Sequence, residues 1–311
     1  MAPGFPDDAS LVRLIGDTPL VDLSQLLGSR ARAFGKLEAR NPGGSVKDRP
    51  ALAMVRDAWD ELSAGGTLVD ATSGNTGIAY AVLGRALGFD VHLFMPENAS
   101  DERKRLFALY GAEVTLTPPG EGQDGAIERC TDHAQRRGEE VVYVDQYANP
   151  ANPRAHEQTT GPEIVDQADQ LTHFVAGIGT GGTITGTARH LRKAVPEIEI
   201  VGLQPAGPLH GMEGWKHLET NKTPAILDRS VIDEVRVVDT EDAWQAGAEF
   251  LTELGLALGP SAGAALAGIR SIAQETPDAR VATILPDGFD RYRSTLYADR
   301  VRETIDQEGS S

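Results

Sequence analysis

Short apolar runs alternate along most of the chain with longer stretches of helical periodicity. The runs Leu68–Ala71, Val91–Met95, Val114–Leu116, Val141–Val144, Phe174–Ala176, Ile198–Leu203, Val235–Val238 and Val281–Leu285 predict strands. Between them, Lys47–Leu62, Gly77–Leu87, Asp101–Tyr110, Thr183–Lys193, Asp242–Leu254 and Ser261–Gln274 predict helices. Strands that are apolar throughout have both faces buried, so the alternation indicates an α/β architecture of parallel sheets covered by helices. The Pro/Asn-rich stretch Asn149–Pro153 breaks the pattern near the middle and marks a crossing between two α/β units. Residues 207–229, rich in Gly, His and Pro, read as a long loop with short helices, and loops of that length tend to be functional. The ends, 1–9 and 304–311, read as frayed tails.

At 311 residues, the chain suits one large or two medium domains. The single cysteine, Cys130, excludes an internal disulfide framework and a cysteine-ligated metal, and no metal site is expected. With 46 acidic against 29 basic residues, the formal charge is −17, which repels phosphate backbones and argues against a nucleic-acid partner. No apolar run approaches the length of a membrane span, and the start lacks the features of a signal peptide, so a cytoplasmic protein is expected. Among the basic residues, 6 are Lys and 23 Arg. Codon usage explains Arg over Lys but not the acid excess. A high-salt cytoplasm, which screens self-repulsion, stays open as a second reading.

Five motifs carry candidate chemistry. In Asn41–Pro50, a Gly-rich turn opens a helix with Lys47 near its start. A lysine kept there in an arginine-rich chain points to imine formation or deprotonation, which arginine cannot perform. Thr72-Ser73-Gly74-Asn75-Thr76-Gly77 follows a strand and opens a helix, a natural carboxylate or phosphate cradle, although a simple helix cap explains Thr72 or Ser73 alone. Gly177–Thr183 matches G-x-G-x-x-G through Gly177, Gly179 and Gly182, so a nicotinamide oxidoreductase has to be weighed. The next strand ends in Gln204-Pro205, without the acid a dinucleotide's ribose calls for, and the extra Gly181 and two threonines better suit a cup around one phosphate. Gly259–Ala264 opens another helix at Ser261, and Leu285–Tyr292 is a polar turn after a strand. The carboxylates inside these motifs are Asp48, Asp287 and Asp290, so the acid excess lies mostly elsewhere.

In this order and spacing, from Leu14–Leu20 to Arg291–Thr295, the motifs resemble the cysteine synthase family, O-acetylserine sulfhydrylases and their relatives among fold type II pyridoxal-phosphate enzymes. The resemblance implies two open, twisted, mostly parallel sheets covered by helices, as in the tryptophan synthase β-like fold. It implies a smaller domain over 44–150, a larger one over 10–43 plus 151–303, and a homodimer. The cofactor implied is pyridoxal 5′-phosphate, with Lys47 as Schiff-base and catalytic lysine. Asn75 would contact the cofactor's 3′-oxygen, Gly179, Thr180, Gly181, Gly182 and Thr183 would cup its phosphate, and Ser261 would bond its ring nitrogen. Thr72, Ser73, Gly74, Thr76 and Gln146 would hold the substrate carboxylate. The implied activity is a transferase or lyase step of cysteine biosynthesis: sulfide replaces the β-substituent of O-acetylserine or O-phosphoserine through an aminoacrylate. A cystathionine β-synthase reaction, serine with homocysteine, is the alternative, and a non-catalytic interaction protein on the same scaffold is disfavoured by the joint presence of Lys47, Asn75 and Ser261. The Lys47 segment is closer to the B-type and phosphoserine-using relatives. His210, Lys216 and His217 are candidate cations for a phosphoryl leaving group, or else solvated loop residues. Phe289 stands where the family has a glycine, which puts that turn's geometry in question.

Overall fold

The computed structural model describes residues 4–72 and 74–308. Its ten strands are β1 Leu20–Asp22, β2 Arg32–Leu37, β3 Thr67–Ala71, β4 Val91–Pro96, β5 Glu113–Thr117, β6 Val141–Tyr143, β7 His173–Gly177, β8 Glu199–Pro205, β9 Glu234–Val238 and β10 Arg280–Leu285. They form a parallel four-stranded sheet in the order β5-β4-β3-β6 and a six-stranded sheet in the order β1-β2-β10-β7-β8-β9. Only β1, against β2, runs antiparallel. The eight expected strands form within two residues of their predicted bounds. β1 and β2 were not anticipated, because β1 is three residues long and β2 carries Arg32, Gly35 and Lys36 among its apolar positions.

The helices are α1 Asp48–Asp57, α2 Trp59–Ser63, α3 Asn75–Leu87, α4 Asp101–Tyr110, α5 Gly122–Arg137, α6 Ala151–Ala155, α7 Gly161–Gln167, α8 Gly182–Ala194, α9 Thr240–Leu254, α10 Pro260–Glu275 and α11 Leu296–Glu308. A π-helical turn, His156–Thr160, joins α6 to α7. The long helix expected over Lys47–Leu62 is broken at Ala58 into α1 and α2. Two other expectations are corrected. Residues 206–228 carry no helix, and the segment expected to fray from 304 is helical to Glu308. No helix among the described residues is long and apolar enough to cross a membrane.

Strand periodicity divides the core of the six-stranded sheet. Val175, Val201 and Val281 face one side with Phe250, Leu266 and Ile269, while Phe174, Ile200 and Ala282 face the other with Ile184, Ala188 and Leu191. A third cluster, including Met54, Tyr80, Leu83 and Phe107, packs helices onto the four-stranded sheet. With the sheets fixed this way, the carboxyl ends of β3, β6, β7 and β10 deliver Thr72, Gln146, Gly179 and Asp287 to one region, where open α/β sheets place their ligands.

Candidate active site

The turn before α1 is stitched down on every side. Asn41 Nδ2 donates to Glu38 O at 3.0 Å and Ser45 O at 3.1 Å, while its Oδ1 accepts from Gly16 N at 2.9 Å. Val46 N donates to Pro286 O at 2.8 Å, Asp48 accepts from Gly43 N, and Arg291 donates to Gly43 O. Gly44 has φ +78, and a Cβ there would stand 2.6 Å from Arg291 Nη2, so a side chain at this position would be strained and would displace Arg291. The result fixes Lys47 at the first turn of α1, half-buried, with its side chain lining a cleft between the two sheets. Desolvation pushes the Lys47 ammonium below its ordinary pKa, against the partial support of Asp287 and Glu38, which favours the free amine.

Thr72 leaves β3 and α3 begins at Asn75, so Thr72, Gly74, Asn75 and Thr76 line the same cleft. Ser73 lies outside the described residues. Thr76 Oγ1 donates to Gln146 Oε1 at 2.7 Å, and Gln146 Nε2 donates to Ala71 O at 3.1 Å, which locks the cradle to the end of β6. Asn75 Nδ2 donates to Asp287 Oδ2 at 2.6 Å, whereas Asn75 Oδ1 is buried without a partner.

Gly177 to Thr183 form a tight cup between β7 and α8. Gly181 has φ +84, and a Cβ on Gly182 would fall 1.9 Å from Asn152 Oδ1. Gly179, Thr180 and Thr183 line the cleft, while Gly181 and Gly182 complete the turn without lining it. Free N–H groups of the first helical turn and the α8 dipole favour an anion at this end. Behind the cup, His156 Nε2 lies 3.3 Å from Thr183 Oγ1 and its Nδ1 2.9 Å from Thr160 Oγ1. Ser261, at the start of α10, also lines the cleft, and its hydroxyl has no protein partner among the described residues.

Sequence reasoning gave Asp287 no role and passed over Arg103, Tyr147, His156, Glu213 and Trp215, all but His156 lining the cleft. Of the three candidate cations of the long loop, none lines this cleft, and His210 and Lys216 line an adjoining pocket that shares Gln123, Tyr147, Gly214 and Trp215 with it. Lys216 is buried, its Nζ 5.1 Å from the Tyr147 ring centroid, and His217 Nε2 is 3.1 Å from Glu219. Phe289 is accommodated without a positive φ; its N–H donates to Ala257 O at 3.1 Å and its ring packs on Tyr297.

A model of the pyridoxal-phosphate dependent enzyme family matches residues 11–287. The cysteine synthase of Aquifex aeolicus is 45% identical over 94% of this chain and 93% of its own. Cysteine synthase B of Escherichia coli is 41% identical over 92% of this chain and 95% of its own. The chain belongs to the cysteine synthase family. It is a pyridoxal-phosphate dependent enzyme of the β-replacement type that makes cysteine. A solved O-ureido-L-serine synthase matches with a TM-score of 0.87 and 37% identity, covering 96% of each chain. An O-acetylserine dependent cystathionine beta-synthase from Helicobacter pylori matches with 0.86 and 33%, covering 92% of this chain and 97% of that one. These relatives do not favour the serine-plus-homocysteine alternative, and they leave the dinucleotide reading of Gly177–Gly182 without support.

The residues present fit the cofactor of this cysteine synthase. A cleft lysine disfavoured as an ammonium, a glycine cup at a helix N-terminus, a buried amide oxygen without a partner and an unspent serine hydroxyl meet in one cleft.

Proposed function

We propose that this cysteine synthase exchanges the activated β-oxygen substituent of O-acetyl-L-serine or O-phospho-L-serine for sulfide, with Lys47 as both the cofactor's attachment point and the base at the substrate α-carbon. The observation that carries this reading is that a lysine whose charged form is disfavoured lines the same cleft as Thr72, Gly74, Asn75 and Thr76. Pyridoxal phosphate, when bound, supplies the electron sink for the α-carbanion. Thr180 and Thr183, with the backbone of Gly179, Gly181 and Gly182, would hold its phosphate, Asn75 its ring oxygen and Ser261 its ring nitrogen. A serine hydroxyl offers that nitrogen a neutral hydrogen bond and no ion pair, which keeps the sink mild and favours prompt loss of the β-substituent.

The protein's own groups do the rest. Thr72, Ser73, Gly74, Thr76 and Gln146 receive the substrate carboxylate, so that the α-proton points at Lys47 Nζ. Lys47, as the free amine, takes that proton, and the leaving group departs with the electron pair of the Cβ–O bond. Sulfide then attacks the β-carbon, and Lys47 returns the proton to the α-carbon as cysteine is released.

Holoenzyme titrated with O-acetylserine, O-phosphoserine and serine tests this. At least one O-activated donor changes the cofactor's visible absorbance, and added sulfide reverses the change while cysteine accumulates. No response to any of the three overturns the reading.

Around this chemistry we place a smaller domain over 44–150 holding the four-stranded sheet and a larger one over 10–43 plus 151–303 holding the six-stranded sheet. The unpaired, buried Cys130 suits a reducing cytoplasm, and the family resemblance supports a homodimer. A charge of −17 suits a high-salt interior. Light scattering, and unfolding in dilute against molar salt, test the last two.

A further inference from the structure

Four charged side chains line the central cleft: Lys47, Arg103, Glu213 and Asp287. Arg103 comes from α4 and Glu213 from the irregular 206–228 segment. Arg103 is 4% exposed, and its Nη1 donates to Glu213 Oε2 in an ion pair. The guanidinium carbon lies 5.6 Å from the Tyr292 ring centroid and 3.9 Å from where a Cβ on Gly74 would stand. Arg103 Nε is buried and has no hydrogen-bond partner. A buried cation therefore sits against the carboxylate cradle, and its charge is already matched by the Glu213 carboxylate.

We propose that Glu213 is a specificity-determining residue: by holding the Arg103 guanidinium, it withholds that cation from a phosphoryl leaving group and makes the neutral ester O-acetyl-L-serine the donor. A phosphoryl group carries about −1.5 to −2 charge at pH 7. Entering this cleft, it meets Glu213 and Asp287 as like charges and finds Arg103 engaged. No further cation lines this cleft among the described residues; Lys216, in the adjoining pocket with His210, is held over the Tyr147 ring at 5.1 Å. Specificity of this kind comes from a repulsive element set against the wrong ligand as much as from contacts to the right one. An acetyl ester carries no net charge and is indifferent to the pair.

The proposal rests on the β-replacement reading above, and the test separates the two. Donor preference is measured as the ratio of kcat/KM for O-acetylserine to that for O-phosphoserine, and O-phosphoserine binding to the holoenzyme is measured in parallel by calorimetry. Wild type is expected to favour O-acetylserine. Glu213→Gln and Glu213→Ala are expected to lower the ratio at least about tenfold and to tighten O-phosphoserine binding, while Glu213→Asp keeps the wild-type preference. A wild type that prefers O-phosphoserine, or a ratio and affinity unchanged in folded Glu213→Gln and Glu213→Ala proteins, overturns the role of Glu213 and leaves the β-replacement reading standing. Turnover of neither donor by wild type overturns that reading and this proposal with it.

Discussion

Asn75 Nδ2 donates to Asp287 Oδ2 at 2.6 Å, tying the start of α3 to the turn after β10, 212 residues further on. The same oxygen accepts from the Tyr292 hydroxyl at 2.7 Å, and Asp287 is 1% exposed. Asp287 therefore aims the Asn75 amide, leaving Asn75 Oδ1 for a ligand. Asp287→Asn removes the charge that strengthens both bonds, and hydrogen bonds to charged groups contribute about 1.5–3 kcal/mol. The expected result is a fall of about 10- to 150-fold in kcat/KM with the activated serine donor, read by steady-state kinetics.

Among the described residues, Lys47 is the only amine lining the cleft. Replacing it with Ala is expected to lower turnover by at least about 10²–10⁴-fold, the range for removal of a positioned general base. Lys47→Arg keeps the charge and is expected to fail equally, because a guanidinium does not give up its proton near neutral pH. After borohydride reduction, mass spectrometry is expected to find the cofactor's mass on wild type and on neither variant.

Beneath the Lys47 turn, Arg49 donates to Glu38 through Nε at 2.7 Å and Nη2 at 2.8 Å, and to Glu163 through Nη1 at 2.6 Å. Lys36 joins at 2.7 Å from Glu163. Burial alone would push the Glu163 carboxyl up, but bonds from Arg49 and Lys36 outweigh it and hold the pKa down at about 2. Glu38→Ala leaves Arg49 with one of its two carboxylate partners in a dry interior. Breaking a buried pair in this way costs about 3–5 kcal/mol, to be read from the urea unfolding midpoint.

His156 is fully buried behind the cup, and desolvation, helped by Lys47 and Arg49, holds its pKa well below 6.5. The unfolded chain binds a proton there below pH 6.5 and the folded one does not. Its contribution to stability is therefore complete above pH 6.5 and is lost as pH falls below it. The stability advantage of wild type over His156→Gln is expected to shrink below pH 6.5 by up to about 1.4 kcal/mol per pH unit. A difference constant from pH 8 to 5 in denaturant titrations would refute it.

Legibility in the sequence followed burial. β4 is buried at all six positions and reads as one apolar run, whereas β2 hides Lys36 inside the sheet, where Thr18 O, Gln167 and Glu163 meet its charge. No local pattern reveals such a lysine, because its partners lie up to 131 residues away. α5 escaped notice because its buried stripe is only Gly125, Ala126 and Cys130. The cradle and the cup were legible, since a strand running through Gly and hydroxyl residues into a helix is a local signature. Arg103 was not. It sits in the charged run Asp101–Arg105, and its partner Glu213 is 110 residues distant, so only the fold shows that this arginine faces the cleft.

The most direct measurement mixes purified holoenzyme with O-acetyl-L-serine and sulfide and quantifies cysteine and acetate together, with Lys47→Ala alongside. Equimolar cysteine and acetate from wild type, and neither from the variant, is the predicted result. Cofactor-loaded wild type that forms cysteine neither from O-acetyl-L-serine nor, in its place, from O-phospho-L-serine, or a Lys47→Ala protein that forms it at the wild-type rate, would contradict it.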